Sequence, residues 1–324
     1  MERKLASVQV IKDIKPIKDA DNLELAFILG WQVVVKKGQF HKGDKCVYCE
    51  IDSILPEREE FEFLRNGCWN EEYQGFRIKT KKLRGKLSQG ICFGLTDLNL
   101  KKSLPINEDL TEELNIKKYD SSGSNGIGEF HHSVPKTDEI RIQTVYDELM
   151  ENHKNDEAYI TIKLDGSSFT IVKESGEIKL YSRNLQVSEN STYGRCFNEL
   201  KLNEKLKGVD NIALQGELVG PGVNGNRQKL DKLDFYVFNI FDLTQLEFIE
   251  FHKMNEMLND LNIKMVPILD ENFILDKTLD ELLELADGKC LINDCNREGI
   301  VIRDKKRNWS FKVISNKYLL KNDL

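Results

Sequence analysis

The first third of the chain is patterned as short apolar runs broken by turn residues. Candidate strands run over Leu5–Ile14, Leu23–Ile28, Gln32–Val35, Lys45–Ile51, Phe76–Lys81 and Gly90–Leu95. Leu29-Gly30, Lys37-Gly38, Lys42-Gly43-Asp44 and Arg84-Gly85 punctuate them. Short strands at this spacing predict a small β-barrel. The stretch Ser121-Ser122-Gly123-Ser124-Asn125-Gly126-Ile127-Gly128 offers almost no side chain to pack and reads as a linker. Beyond it the pattern mixes two periods. Helical spacing marks Arg141–His153 (Ile142, Val145, Leu149), Tyr193–Leu206, Phe251–Leu261 and Leu279–Ala286. Strands are expected at Ile160–Leu164, Ser168–Lys173, Ile178–Tyr181, Ile212–Leu214, Phe235–Phe241, Gly299–Arg303 and Ser310–Ile314. The expected class is α+β: a barrel domain over 1–119, a linker over 120–130, and a mixed domain of antiparallel sheets with flanking helices over 131–324. No internal repeat is visible.

With 324 residues the chain has room for two domains, and 40% apolar and 31% charged residues are ordinary for a globular protein. No apolar run approaches the ~18 residues of a membrane helix. Met1-Glu2-Arg3-Lys4-Leu5 has no signal-peptide core, so the final Lys321-Asn322-Asp323-Leu324 carries no weight as a retrieval tail. An intracellular, cytoplasmic protein is expected. Seven cysteines without a repeated spacing argue against a disulfide framework and for a reducing compartment. Cys46 and Cys49 form a C-x-x-C, but zinc needs four ligands and no second such pair exists. The net charge of −7 does not advertise nucleic-acid binding. Its distribution does: Arg77, Lys79, Lys81, Lys82, Arg84, Lys86, Lys101 and Lys102 face only one acid, Asp97, between them. Such a cluster can follow a phosphate backbone, although a solvated positive face has the same composition.

The chemistry is concentrated in Lys163-Leu164-Asp165-Gly166, set between the apolar stretches Ala158–Ile162 and Phe169–Val172. The tetrad reads as a turn joining two strands, with the lysine at the floor of a sheet. A buried amine among other charges can lose its proton and act as a nucleophile. At the ordinary lysine pKa of about 10.4, only roughly one amine in 2,500 is neutral at pH 7. Closing that gap takes about 4–5 kcal/mol, for which a nearby cation and partial burial are the available means. Asp165, two residues on, could serve a metal ion, and Gly166 lets backbone approach a phosphate or base closely. Alone, the tetrad is equally an ordinary hairpin turn. It is followed by Tyr181-Ser182-Arg183-Asn184, Gln215-Gly216-Glu217-Leu218-Val219-Gly220, Asp234–Ile240, Arg297–Arg303 and Ser310–Ile314, each a short strand edged by a charged or reactive residue.

This ordered series resembles the covalent nucleotidyltransferase superfamily of ATP-dependent polynucleotide ligases and mRNA capping enzymes. Gly216-Glu217-Leu218-Val219-Gly220-Pro221-Gly222-Val223-Asn224-Gly225-Asn226 is similar to the RNA ligase form of the third motif. Val134-Pro135-Lys136-Thr137-Asp138-Glu139 is similar to the start of RNA ligase catalytic domains. Gly30-Trp31-Gln32-Val33-Val34-Val35-Lys36-Lys37-Gly38 resembles the OB-fold module that precedes catalysis in Naegleria-type RNA ligases. DNA ligases and capping enzymes usually carry their OB domain after the catalytic one, so the domain order favours an RNA ligase.

The resemblance implies an OB-like barrel followed by an ATP-grasp-like nucleotidyltransferase domain, and a three-step reaction. Lys163 attacks the α-phosphorus of ATP, AMP passes to an RNA 5′-phosphate, and a 3′-OH displaces AMP to seal the strand. Asp165, Glu217 and Glu298 are implied to hold a hydrated Mg²⁺ or Mn²⁺, and Lys312 to contact the α-phosphate. Many relatives have a second lysine two positions later, where this chain has Ile314; Lys317 is a differently placed substitute. Arg183 with Asn184 is implied to touch the ribose and the RNA end. Phe238, with Tyr236 on the same side, is implied to stack on adenine, although aromatic strands are more often core. Backbone at Thr161-Ile162 is implied to read the adenine edge, with Gly166 allowing close approach. The Gly220–Asn226 loop is either a contact for the RNA end or a tight connection, and the barrel's basic stretch is assigned to the 3′-OH strand. Expected partners are nicked or broken RNA with 3′-OH and 5′-phosphate ends, no membrane, and a monomeric enzyme. A DNA ligase, a GTP-dependent capping enzyme and a non-catalytic RNA-binding protein are the alternatives. The last is weakened because Lys163, Asp165, Glu217, Glu298 and Lys312 are all present.

Overall fold

Strand Ala6–Pro16 organises the first third of the chain because it pairs along both edges. It runs antiparallel to Leu23–Ile28 on one side and to Lys45–Cys49 on the other, with a bulge between Ile11 and Asp13. The resulting five-stranded sheet has the order Ile91–Phe93, Lys45–Cys49, Ala6–Pro16, Leu23–Ile28, Trp31–Lys36. A bulge bends a strand and sharpens its twist, which suits a sheet that curls into a barrel. A second, four-stranded sheet contains Lys117–Lys118, Ser53–Pro56, Gly75–Arg77 and Trp69–Asn70. The computed structural model describes residues 3–119 and 126–322. The first part of the expected linker and the last two residues of the chain lie outside them.

The chain divides into two compact units, residues 1–121 with 142–151 and 319–324, and residues 122–141 with 152–318. In the first, Ala6, Val8, Ile11, Ile28, Trp31, Val47 and Tyr48 form a buried interior. Helix Ile142–Asn152 belongs to this unit by its contacts and buries Ile142 and Leu149. It is tied by Gly30 N donating to Gln143 O at 2.7 Å and Trp31 Nε1 to Thr144 Oγ1 at 3.2 Å. The expected strand Phe76–Lys81 is divided: Gly75–Arg77 stays in the four-stranded sheet, and Thr80–Leu83 pairs with Lys86–Gln89 as a separate hairpin. Arg84 (φ 47°) and Gly85 (φ 79°) close that hairpin in left-handed backbone, where glycine is at ease. Lys82, Arg84 and Lys86 stand exposed at its tip.

The second unit is built from two antiparallel sheets. Seven strands run in the order Gly128–Glu129, Leu185–Gln186, Glu177–Tyr181, Ser167–Glu174, Ile212–Val219, Asp234–Asp242, Glu247–Phe248. Four more run Ile268–Ile274, Glu157–Lys163, Gly299–Asp304, Ser310–Ile314. Helices Thr192–Glu199 and Phe251–Asp260 cover the larger sheet, where Cys196, Met254 and Leu258 pack with Phe169, Ile171, Leu214 and Phe235. Ile162 and Leu164 join Val219, Tyr236 and Val266 in a smaller cluster that binds the two sheets together.

The expected helix Tyr193–Leu206 is two, Thr192–Glu199 and Leu202–Lys205, because Lys201 turns the backbone left-handed (φ 52°). Strand Ile268–Ile274 escaped the pattern. Its interior is the polar run Asp270-Glu271-Asn272, and its pairing to Glu157–Lys163 is irregular in two places, as an edge strand tolerates. Among the described residues no helix is long and apolar enough to cross a membrane. One local cysteine pair, Cys290–Cys295, is joined as a disulfide, which the absence of a repeated spacing did not reveal. The other five cysteines are buried and free, Cys46 and Cys49 among them.

Candidate active site

Lys163 is the last residue of a central strand in the four-stranded sheet, and Ser167 opens a strand of the seven-stranded sheet. The tetrad is therefore a crossing between two sheets and not a hairpin. That crossing is what gathers the charged residues. In the small sheet Lys163 pairs with Gly299, so Glu298 falls beside it, and Lys163 Nζ lies 2.6 Å from Glu298 Oε2. In the large sheet Ser168 pairs with Glu217, whose Oε1 accepts the Gly166 N–H at 2.9 Å. A Cβ on Gly166 would sit 2.2 Å from Leu218 O, so only glycine fits the crossing.

The electrostatics depart from the sequence expectation. Burial alone lowers the Lys163 pKa, but Glu298, Glu217 and Asp165 together outweigh it and hold the ammonium above its usual value. The lysine's neighbours are carboxylates and not the cation that the sequence argument required. Glu217 is pushed up to about 7, by burial first; Lys163 and Arg183 oppose the shift and Glu298 adds to it. Desolvated negative charge of this kind is what a divalent cation relieves. Among the described residues no group of three or more His, Cys, Asp or Glu side chains converges closely enough to ligate a metal directly.

Lys163 lies in an open cleft between the two sheets. Ile162, Arg183, Glu217, Phe238 and Lys312 also line it. Phe238 gets there through a bulge: Gln215 pairs with Asn239 and Gly216 with Val237, so the ladder skips it. Its ring is half-buried in the cleft, unlike its buried neighbours Phe235 and Val237. Lys312 is placed by pairing with Val301, and its N–H donates to Ile140 O at 2.8 Å.

Sequence reasoning assigned no role to Arg303 or Glu139, which also line the cleft. Arg303 is buried, donates from Nη1 to Thr161 Oγ1 at 2.9 Å, and lies 3.2 Å from Glu139 Oε1 through Nη2. Its guanidinium stands 5.5 Å from the Phe238 ring centroid. A charged residue directly following the apolar run Ile300–Ile302 in strand Gly299–Asp304 was the available signal. Asp138, 3.9 Å from Arg183, is a second partner that was missed.

Comparison with known families gives two matches: an OB-fold domain over residues 5–95 and RNA ligase over residues 156–319. The chain belongs to the RNA ligase family. Solved structures of Naegleria gruberi RNA ligase resemble this ligase over nearly its whole length. The form with pyrophosphate is 35% identical, covers 99% of both chains and has a TM-score of 0.93. A lysine-to-alanine mutant with ATP and Mn is 34% identical over 99% of both chains, with a TM-score of 0.93. A glutamate-to-alanine mutant with AMP and Mn is 34% identical over 99% of both chains, with a TM-score of 0.92. A comparison with curated proteins finds no match.

The remaining expected residues, Glu298 and Gly166 among them, do not line this ligase's cleft. Asp165 is engaged by Arg227, Asn224 and Tyr318. Asn184 does not line the cleft. Ile314 is buried, and Lys317 pairs with Asp287 at 2.7 Å on an exposed surface, so Lys317 does not stand in for a second phosphate-binding lysine.

Proposed function

We propose that this RNA ligase joins 3′-OH and 5′-phosphate RNA ends, as a monomer, through a covalent Lys163–AMP intermediate formed from ATP. The observation that carries the reading is the Lys163 amine in a cleft it shares with Glu217 and Lys312, 2.6 Å from Glu298 and on a crossing that Glu217 holds through the Gly166 N–H. The variants solved of the Naegleria ligase replace a lysine, an aspartate two positions on, two glutamates and a final lysine. Lys163, Asp165, Glu217, Glu298 and Lys312 repeat that order, with the same interval between the second glutamate and the last lysine.

In this reading Lys163 Nζ forms the bond to the α-phosphorus as the bond to pyrophosphate breaks. Glu298 Oε2 is within reach to orient Nζ and to accept its proton. Lys312 and Arg183, which both line the cleft, offer charge to the phosphate and ribose. Asp165, Glu217 and Glu298 would hold a Mg²⁺ or Mn²⁺ through its waters, and that ion would supply positive charge to the transferring phosphoryl group. Phe238 would stack on adenine, with the Thr161-Ile162 backbone at its edge. Phe238→Ala is expected to raise the ATP KM roughly tenfold with little change in kcat, because stacking binds ground and transition states alike. An unchanged KM would return Phe238 to the core.

The barrel is proposed to grip RNA through the hairpin Thr80–Leu83/Lys86–Gln89. Reversing Lys82, Arg84 and Lys86 to Glu should weaken sealing of nicked RNA duplex by about tenfold or more, with the deficit narrowing as salt is added because fewer phosphate contacts remain to be screened. Labelling of Lys163 by ATP should be untouched. Equal sealing by the variant would separate the hairpin from RNA.

The whole reading is tested by incubation with Mn²⁺ and α-labelled ATP or GTP, then denaturing electrophoresis and peptide mapping. Label from ATP on the Lys163 peptide, with sealing of nicked RNA, is the expected result. Label from GTP instead would move the chemistry to capping. No label from folded, AMP-free protein would leave an RNA-binding protein without the reaction.

A further inference from the structure

The carboxylate of Asp165 is held by more of the chain than the tetrad that carries it. Arg227 Nε lies 2.9 Å from Asp165 Oδ2, and the Tyr318 hydroxyl donates to the same oxygen. Asn224 Nδ2 donates to Oδ1 at 3.2 Å. Arg227 Nη1 also donates to the Tyr318 hydroxyl at 2.9 Å, with the guanidinium 5.4 Å from the Tyr318 ring centroid. A carboxylate offers about four lone-pair positions, two on each oxygen. Tyr318 donates to Oδ2 and Asn224 to Oδ1, and the Arg227 guanidinium pairs with Oδ2 by charge, which leaves one position on Oδ1 open.

Arg227 is itself fixed in place. Asn226, next to it, receives the Leu230 N–H at 3.0 Å and donates to Leu230 O at 2.8 Å. Asn293 Nδ2 reaches the carbonyls of Gln228 at 3.3 Å and Lys229 at 3.2 Å. The guanidinium thus extends from a loop pinned on both sides and does not sweep the surface. An isolated exposed ion pair orients little. Here two hydrogen-bond donors and a guanidinium converge on a carboxylate whose side chain is only 14% exposed.

We infer that Arg227 is a positioning residue: with Tyr318 and Asn224 it turns Asp165 so that the remaining Oδ1 lone pair meets the hydration shell of the divalent cation. The role requires that Asp165 itself acts on that cation, as proposed above. Arginine is needed because one planar fork serves both the carboxylate and the hydroxyl, which a lysine ammonium cannot do in the same geometry. Groups that orient a metal's carboxylates commonly change its affinity by about 10–100-fold when removed.

The test titrates Mn²⁺ into the full-length protein with α,β-methylene-ATP, which cannot release pyrophosphate, and reads free Mn²⁺ by electron paramagnetic resonance. Arg227→Met should weaken Mn²⁺ by about tenfold. It should leave the unfolding temperature and the metal-free affinity for the analogue as in the parent. Arg227→Lys should recover part of the loss. Asp165→Asn should weaken Mn²⁺ at least as much, and adding Arg227→Met to it should cost nothing further. Weakening by Asp165→Asn but not by Arg227→Met would overturn the positioning role and leave Asp165 in its own. No weakening by Asp165→Asn would overturn the role of Asp165. Additive losses would show Arg227 acting without Asp165, which also overturns the inference.

Discussion

A Lys163→Met protein is expected to lose adduct formation with ATP by about a thousandfold or more, while still sealing RNA that already carries AMP on its 5′ end. The first half follows from bond making: methionine keeps the length and apolar stem of lysine but has no amine to form a bond to phosphorus. The second half follows from the order of steps. Once AMP is on the RNA, the 3′-OH displaces it and no lysyl adduct intervenes. Removing Lys163 also takes the partner of Glu298, so the variant's unfolding temperature should be recorded beside its activity. Retained labelling in this protein would place the nucleophile elsewhere. Lost sealing of pre-adenylylated RNA, from folded protein, would give Lys163 a further part in strand joining.

The second large effect is expected of Glu298. Glu298→Ala should slow labelling of Lys163 by about a hundredfold or more. It removes the acceptor 2.6 Å from Nζ and one of the three carboxylates proposed to hold the metal ion. Glu298→Gln separates the two contributions, since it can still accept a hydrogen bond from Nζ but carries no charge. Little recovery in Glu298→Gln would assign the effect to charge; full recovery would assign it to orientation of Nζ. Near-normal adduct formation by Glu298→Ala would remove Glu298 from the site altogether.

The strands flanking the tetrad and the motif strands of the second unit were legible because apolar β-formers bounded by glycine and polar turns mark buried strands. The misses share a physical cause. Ile268–Ile274 hides behind its polar interior, and helix Tyr193–Leu206 looks continuous because apolar spacing survives the left-handed turn at Lys201. Arg303 and Asp138 could be read as charges, but nothing local says that they face a cleft. Arg227 lies one residue beyond the glycine-rich motif and is 62 positions from Asp165 along the chain.

The sequence by itself determined the order of the candidate reactive groups and the barrel ahead of the second unit. Those depend on residue type and local pattern, which the chain carries at every position. Only the tertiary structure decided that the tetrad crosses from one sheet to another, that a bulge exposes Phe238 to the cleft, and that Lys163 is surrounded by carboxylates instead of a cation. The reason is that each of these is a relation between strands far apart in the chain, set by register and by which sheet a strand joins. One residue of slip in that register would turn Glu298 or Glu217 to the opposite face, and no local pattern could report it.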